Sequence, residues 1–205
     1  MAGTLVQLDA AQCGKRDGIL QIAAEPGRRA WQPGRNLNAG SPIIVTALFA
    51  GEDHGWLEGL RRRHFPPERN QVPVHLTLFH HLPPGVEAEL GQRLGVITAS
   101  SPPRATIAGI LNLGGGTAFR VESEELKAIR ASLAEAFRGL LTPQDQAGWR
   151  PHITIQNKVT PAAAKALQQE LSIGFSIRPL GIAGLQSWAY RGGPWQPIRR
   201  HPFRG

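Results

Sequence analysis

Two stretches of this 205-residue chain alternate apolar and polar side chains with the period of a β-strand and carry the same polar pair: Val72-Pro73-Val74-His75-Leu76-Thr77-Leu78-Phe79 and Pro151-His152-Ile153-Thr154-Ile155. Residues two apart on a strand share a face. His75 and Thr77 therefore project together, as do His152 and Thr154, while Leu76, Leu78, Ile153 and Ile155 turn the other way. Strands of this kind need one wet face and one buried face, which demands a sheet covered on one side. With 7 His and 9 Thr in the chain, chance alone supplies about 0.3 His-x-Thr triplets. The repetition inside two alternating runs is the signal.

The remaining chain supplies matching elements around each motif. The run from Ile43 to Phe49 is apolar and β-branched, as a buried strand requires. Trp56, Leu57, Leu60 and His64 then recur at helical spacing until Pro66-Pro67 stops them. The first motif strand is expected over about Val72 to Leu82, broken by Pro83-Pro84-Gly85, and Val86, Leu90, Leu94 and Ile97 line one face of a second helix. Strands at about Ala105 to Leu113 and Ala118 to Val121 flank Gly114-Gly115-Gly116-Thr117. No Lys-Ser/Thr follows these glycines, so they form a hairpin turn rather than a phosphate loop.

Ser123 is placed to cap a helix striped by Leu126, Ile129, Leu133, Phe137 and Leu140. After the second motif, Thr160-Pro161 starts a helix bearing Ala164, Leu167 and Leu171. Two or three strands close the chain, with Arg191-Gly192-Gly193 turning Leu185-to-Tyr190 into Trp195-to-Ile198. The second half thus repeats the strand and helix order of the first. The expected fold is α+β: two pseudo-symmetric lobes of antiparallel sheet with outer helices around a central groove, with His75 and His152 on facing central strands.

The paired motifs resemble those of the two-histidine phosphoesterase superfamily, the family of 2'-5' RNA ligases and RNA 2',3'-cyclic phosphodiesterases, whose members carry two His-x-Thr/Ser motifs on strands of two related lobes. Pro151-His152-Ile153-Thr154-Ile155 is the closer match, and the resemblance extends over roughly positions 42 to 200. It implies metal-independent opening of a 2',3'-cyclic phosphate end of RNA to a 2'-phosphate, with reversible 2'-5' ligation as a companion activity. It also implies His152 as base and His75 as acid. The residue types suit that chemistry. An imidazole with an ordinary pKa near 6.5 can serve as either proton donor or acceptor at neutral pH, and positioned proton transfer contributes roughly 10²- to 10⁴-fold. Thr77 and Thr154 can donate hydrogen bonds to the non-bridging phosphate oxygens.

Strand alternation adds Phe79 and His81 to the His75 face, and Gln156 and Lys158 to the His152 face, as substrate-binding candidates beside Arg150. Phe79 is placed to stack a base, and His81 rather than its neighbour His80 to line the groove. No carboxylate or thiolate stands at zinc-ligand spacing from these histidines, and neither metal nor cofactor is expected.

Composition sets the partner class. The net charge is +8, and residues 41–205 keep 18 basic and 12 acidic side chains, which suits a polyanion. RNA with a cyclic phosphate end is the expected substrate, and a small cyclic nucleotide or an ADP-ribose cyclic phosphate is the alternative. A basic RNA-binding module with silent motifs is the non-enzymatic alternative, disfavoured because binding alone has no need of two imidazoles with paired hydroxyls. Cys13 is the single cysteine, so no disulfide can form within the chain, which fits a cytoplasmic monomer. No apolar run is long enough to span a bilayer.

Residues 1–40 lack sustained periodicity and end in Pro33-Gly34-Arg35-Asn36-Leu37-Asn38-Ala39-Gly40, which predicts a disordered tail or linker ahead of a two-lobed domain over 41–205. Removing residues 1–40 is expected to leave the melting temperature and cyclic-phosphate turnover nearly unchanged. Thermal unfolding and initial rates of the shortened chain check this.

Overall fold

A computed structural model of the chain describes residues 40–205, so the expected tail at 1–40 lies, Gly40 apart, outside the described residues. Its strands are β1 (Ile43–Phe49), β2 (Leu76–Leu82), β3 (Ala105–Asn112), β4 (Thr117–Glu122), β5 (His152–Gln156), β6 (Arg178–Leu180), β7 (Ile182–Ala189) and β8 (Gln196–Pro202). Its helices are α1 (Gly51–His64), α2 (Glu87–Ile97), α3 (Glu124–Ala136), α4 (Pro143–Gln146) and α5 (Pro161–Ser172). Among the described residues no helix is long and apolar enough to cross a membrane.

Side chains set the helix boundaries. Leu126 N–H donates to the Ser123 hydroxyl at 3.0 Å to start α3, and Ala163 N–H donates to Thr160 at 3.2 Å to start α5. The α3 stripe is shorter than its periodicity suggests. The helix ends at Ala136, the chain turns through Gly139 at φ +84°, and Leu140 is left exposed. The short α4 has no apolar period to reveal it. It is started by Thr142, which accepts from Asp145 N–H at 3.3 Å, with Pro143 in its first turn.

All eight strands form one curled antiparallel sheet in the order β6-β3-β4-β5-β2-β1-β7-β8. The order divides into two four-stranded lobes, with the motif strands β5 and β2 side by side in the middle. The lobes differ from the contiguous halves expected of the sequence. The strands after each motif helix-strand unit are exchanged: β3 pairs with β4 and carries β6 on its other side, while β7 pairs with β1 and carries β8. Strand alternation reports which face is buried but not which neighbour a strand takes, so this exchange left no mark in the pattern.

The lobes meet at one recorded residue pair, Leu76 beside Ile153. Antiparallel register about that pair sets His75 abreast of Thr154, and Thr77 abreast of His152, on the face opposite the two apolar residues. Leu76 and Ile153 are fully buried, in a core that runs continuously from Ile43, Val45 and Leu78 to Ile107, Phe119 and Ile155. Helix α1 packs on β5, α5 on β3 and β4, and α2 against β8, so the helices cover the face away from the motif side chains.

Past the seam the strands part, and side chains satisfy the edge that β2 leaves open. Trp149 Nε1 donates to Thr77 O at 2.9 Å and Arg130 Nε to Leu78 O at 3.0 Å. The Asp145 carboxylate accepts from the backbone N–H of His80 and of His81, each at 2.9 Å. On the facing strand, Arg61 Nη1 donates to Thr154 O at 2.8 Å. The loop before β5 thus stands in for a missing strand. Replacing Asp145 with Ala orphans two N–H groups and is expected to cost about 2 to 4 kcal/mol, with Asp145→Asn milder. Urea unfolding of the two variants measures the difference.

Candidate active site

The two motifs converge on one cavity of about 220 Å³, lined by His75, Thr77, His152 and Thr154 together with His80, Arg130, Gln144, Trp149 and Arg150. The imidazoles are held in the same way. His75 Nδ1 lies 2.7 Å from Pro73 O, and His152 Nδ1 lies 2.7 Å from Arg150 O, each carbonyl two residues upstream. A carbonyl can only accept, so Nδ1 of each ring carries the hydrogen, and Nε2 is the nitrogen left to exchange a proton in the cavity. Thr77 and Thr154 line the same cavity beside the two rings.

Around His75 the electrostatics are distinctive. The ring of Trp195, on the turn into β8, lies 4.6 Å from the imidazole centroid. Burial pushes the His75 pKa down to about 4; the hydrogen bond to Pro73 opposes this, and the positive charges of Arg61, His152 and His80 add to it. The free site therefore holds His75 neutral at neutral pH. Arg61 is itself buried at 3 % exposure, bonded to Asn70 and stacked 4.1 Å over the Phe65 ring. Burial lowers its pKa to about 10 against the opposing charge of Glu58, so it remains a fixed cation behind Thr154.

Arg150 lines the cavity, as do the His and Thr of both motifs, whereas the positions two residues beyond each Thr do not. Phe79 is fully buried, and Gln156 is 7 % exposed. The cause is the same in both strands. Thr77 pairs with Thr46 but Phe79 with Val45; Thr154 pairs with Ala118 but Gln156 with Thr117. Each motif strand spends two residues against one on its outer neighbour, a β-bulge that turns the next side chain inward. Phe79 packs in the core under the Arg130 guanidinium, 5.0 Å from its ring, and is not placed to stack a base.

The same bulge reverses the expectation for the adjacent histidines. His80 lines the cavity in place of His81, which is half-buried with its N–H on Asp145. Lys158 lies beyond β5 in a left-handed turn at φ +62°, its N–H bonded to Asn157 Oδ1. It does not continue the motif face.

Sequence reasoning missed Arg61, His80, Arg130, Asp145, Trp149 and Trp195. Arg61 and Arg130 lie on helices with ordinary polar periodicity, and they reach the site because each side chain crosses to a carbonyl of the other repeat's motif strand, Arg61 to Thr154 O and Arg130 to Leu78 O. Among the described residues no three His, Cys, Asp or Glu side chains converge as metal ligands.

Comparisons with known proteins agree with this architecture. The family model of the 2'-5' RNA ligase superfamily matches residues 50–192. Escherichia coli LigT, solved in complex with 3'-AMP, matches at 20 % identity over 81 % of this chain and 99 % of its own, with a TM-score of 0.53. The Thermus thermophilus protein TT0787 matches at 16 % identity over 80 % of this chain and 98 % of its own, with a TM-score of 0.51. At such identities the likeness is one of fold. No curated protein sequence matches the chain.

The depressed His75 pKa has a signed consequence for stability. The folded value of about 4 lies below the ordinary 6.5, so the unfolded chain binds more protons between those limits. His75 is expected to leave stability intact above pH 6.5 and to erode it progressively as pH falls toward 4. His75→Asn should flatten that part of the profile, measured by urea unfolding across pH, and imidazole NMR should show His75 titrating near the lower limit.

Proposed function

From the membership of this chain in the 2'-5' RNA ligase superfamily, whose model matches residues 50–192, we propose that it hydrolyses 2',3'-cyclic phosphate ends of RNA to 2'-phosphates. The observation that carries the reading is the matched anchoring of His75 and His152. Both Nδ1 atoms are spent on backbone carbonyls, and both rings line one cavity with Thr77 and Thr154. The basic charge of the described domain supports a polyanionic substrate.

In this reading His152 Nε2 takes a proton from water as the oxygen attacks phosphorus. The bond from phosphorus to O3' breaks, and His75 Nε2 returns a proton to O3', leaving the phosphate on O2'. Thr77 and Thr154 hold the non-bridging oxygens while charge builds on them, and the buried Arg61 cation supplies a fixed positive potential from behind. His75 is neutral in the free site, so its ring takes up a proton from solvent as the anionic substrate binds. The phosphate anion provides the counter-charge that the surrounding cations deny, and it raises the His75 pKa on binding. With a 5'-hydroxyl in place of water, the same attack and the same proton transfers would give a 2'-5' linkage, and attack of O3' on that linkage would reverse it with the two imidazoles in exchanged roles.

His75→Ala and His152→Ala are each expected to lower turnover of a cyclic-ended oligoribonucleotide by about 10²-fold or more while leaving the circular dichroism spectrum unchanged. Phosphorus NMR of the wild-type product distinguishes the 2'- from the 3'-phosphate. Near wild-type rates in either variant would overturn the two-imidazole mechanism.

A further inference from the structure

The cavity carries more positive charge than one phosphate between two imidazoles requires. Besides the motif residues its wall presents His80, Arg130 and Arg150, and among the described lining residues there is no carboxylate. Asp145 lies behind this wall, 1 % exposed, and is wholly spent on fixing it. Its Oδ1 lies 3.0 Å from His80 Nδ1, its two oxygens accept the His80 and His81 N–H groups, and its backbone carbonyl accepts Arg130 Nη2 at 2.6 Å. Burial alone would raise the Asp145 carboxyl, but the hydrogen bonds from His80 and His81 and the charge of His80 hold it below the usual range. It therefore stays ionised beside the His80 ring.

This wall is rigid. With Nδ1 committed to Asp145, His80 keeps Nε2 for the cavity, as His75 and His152 do. Arg130 is pinned by Leu78 O through Nε and by Asp145 O through Nη2, with its guanidinium 5.0 Å from the Phe79 ring and 5.7 Å from the Trp149 ring. Nη1 has no partner among the described residues, on a side chain that lines the cavity. A guanidinium so pre-ordered pays little to hold an anion. Its place is offset from the reacting centre. His80 lies three residues beyond Thr77 on β2, about 10 Å along an extended strand and somewhat less across the bulge. That offset is of the order of a nucleotide rather than of a phosphorus–oxygen bond.

We propose that His80 and Arg130 form a second anion subsite, which takes the 5'-O-phosphoryl group of the nucleotide whose cyclic phosphate lies between His75 and His152. This rests on the phosphoesterase reading and deepens it. Two ligand classes carry that group: an RNA end, as its next phosphodiester, and a small nucleotide, as a 5'-phosphate. Each makes the terminal nucleotide bis-anionic, and a nucleoside 2',3'-cyclic phosphate with a free 5'-hydroxyl does not.

The test compares kcat/KM of the full chain on cytidine 2',3'-cyclic phosphate, its 5'-phosphorylated form and a dinucleotide ending in the same cyclic phosphate. The wild type is expected to favour at least one of the two bis-anionic substrates by about tenfold or more, as a charge-assisted hydrogen bond supplies. Gain on the dinucleotide alone identifies an RNA strand as the source, and equal gain on the 5'-phosphorylated form identifies the phosphoryl group itself. Arg130→Met and His80→Gln should each shrink the ratio to about threefold or less. His80→Gln keeps a side chain able to bond Asp145, so it decides the matter if Arg130→Met fails to fold.

No wild-type preference, or an equal loss on all three substrates in the folded variants, would overturn the subsite. Calorimetry with adenosine 2',5'-bisphosphate against adenosine 2'-monophosphate separates this from the parent reading. If no cyclic substrate turns over, the phosphoesterase assignment fails, while a bisphosphate preference lost in the variants would still uphold the subsite and equal affinities would sink it.

Discussion

Where Leu76 meets Ile153, two four-stranded sheets become one, and the rest of the molecule is arranged around how little else joins them there. A continuous ladder between β2 and β5 would close the sheet flat and leave no cavity. A single pair lets the motif strands part immediately, so that the His and Thr side chains on their shared face open into a groove. The cost is a set of backbone groups without a neighbouring strand, and buried backbone polar groups must be paired. Arg61 reaches from α1 to Thr154 O, and Arg130 from α3 to Leu78 O. Helix α1 lies between β1 and β2, and α3 between β4 and β5, so the two arginines occupy corresponding elements of the repeats. Each reaches across to the opposite repeat's motif strand. Each also lies over a phenylalanine ring, Phe65 or Phe79.

The electrostatics of the groove follow from that clasp. Backbone carbonyls at the seam are satisfied by guanidinium groups, which makes the structural solution a source of positive potential directly behind the polar face. Burial first, and the charge of Arg61 with it, push the His75 pKa down and keep the ring neutral. Fold stability and the positive potential of the groove thus draw on the same side chains. Arg61 cannot be removed to probe one without disturbing the other, whereas His80, half-exposed at the rim, is separable.

Much of this was legible in the residues. Helix starts at Ser123 and Thr160, the stop at Pro66-Pro67 and the glycine hairpin before Thr117 are local events, decided by capping hydroxyls, a missing N–H and conformational freedom, and they stand where the sequence places them. The α4 turn and the early end of α3 were less legible, because a few residues carry too little period to separate a short helix from a loop. The His-x-Thr pairs were visible because two-residue alternation survives over those short stretches. Two residues further on it fails in both strands, at Phe79 and Gln156, because each bulge adds a residue that the period cannot anticipate. The exchange of His80 for His81 in the groove follows from the same insertion.

By itself the sequence determined which residues could act: two imidazoles and two hydroxyls on half-wet strands, in a basic chain with an apolar alternate face for the core. Those properties belong to single strands and helices, where the identity of nearby residues is sufficient. Only the tertiary structure decided which strands lie together, since backbone hydrogen bonds between strands are blind to side-chain type. It therefore decided the exchange of β3 and β7 between lobes, the single pair at the seam, and the meeting of Arg61 with Thr154, Arg130 with Leu78, Asp145 with His80 and Trp195 with His75, each pair far apart in sequence. The residues that could exchange protons were written locally, and the charge and burial that tune them were set by contacts across the fold.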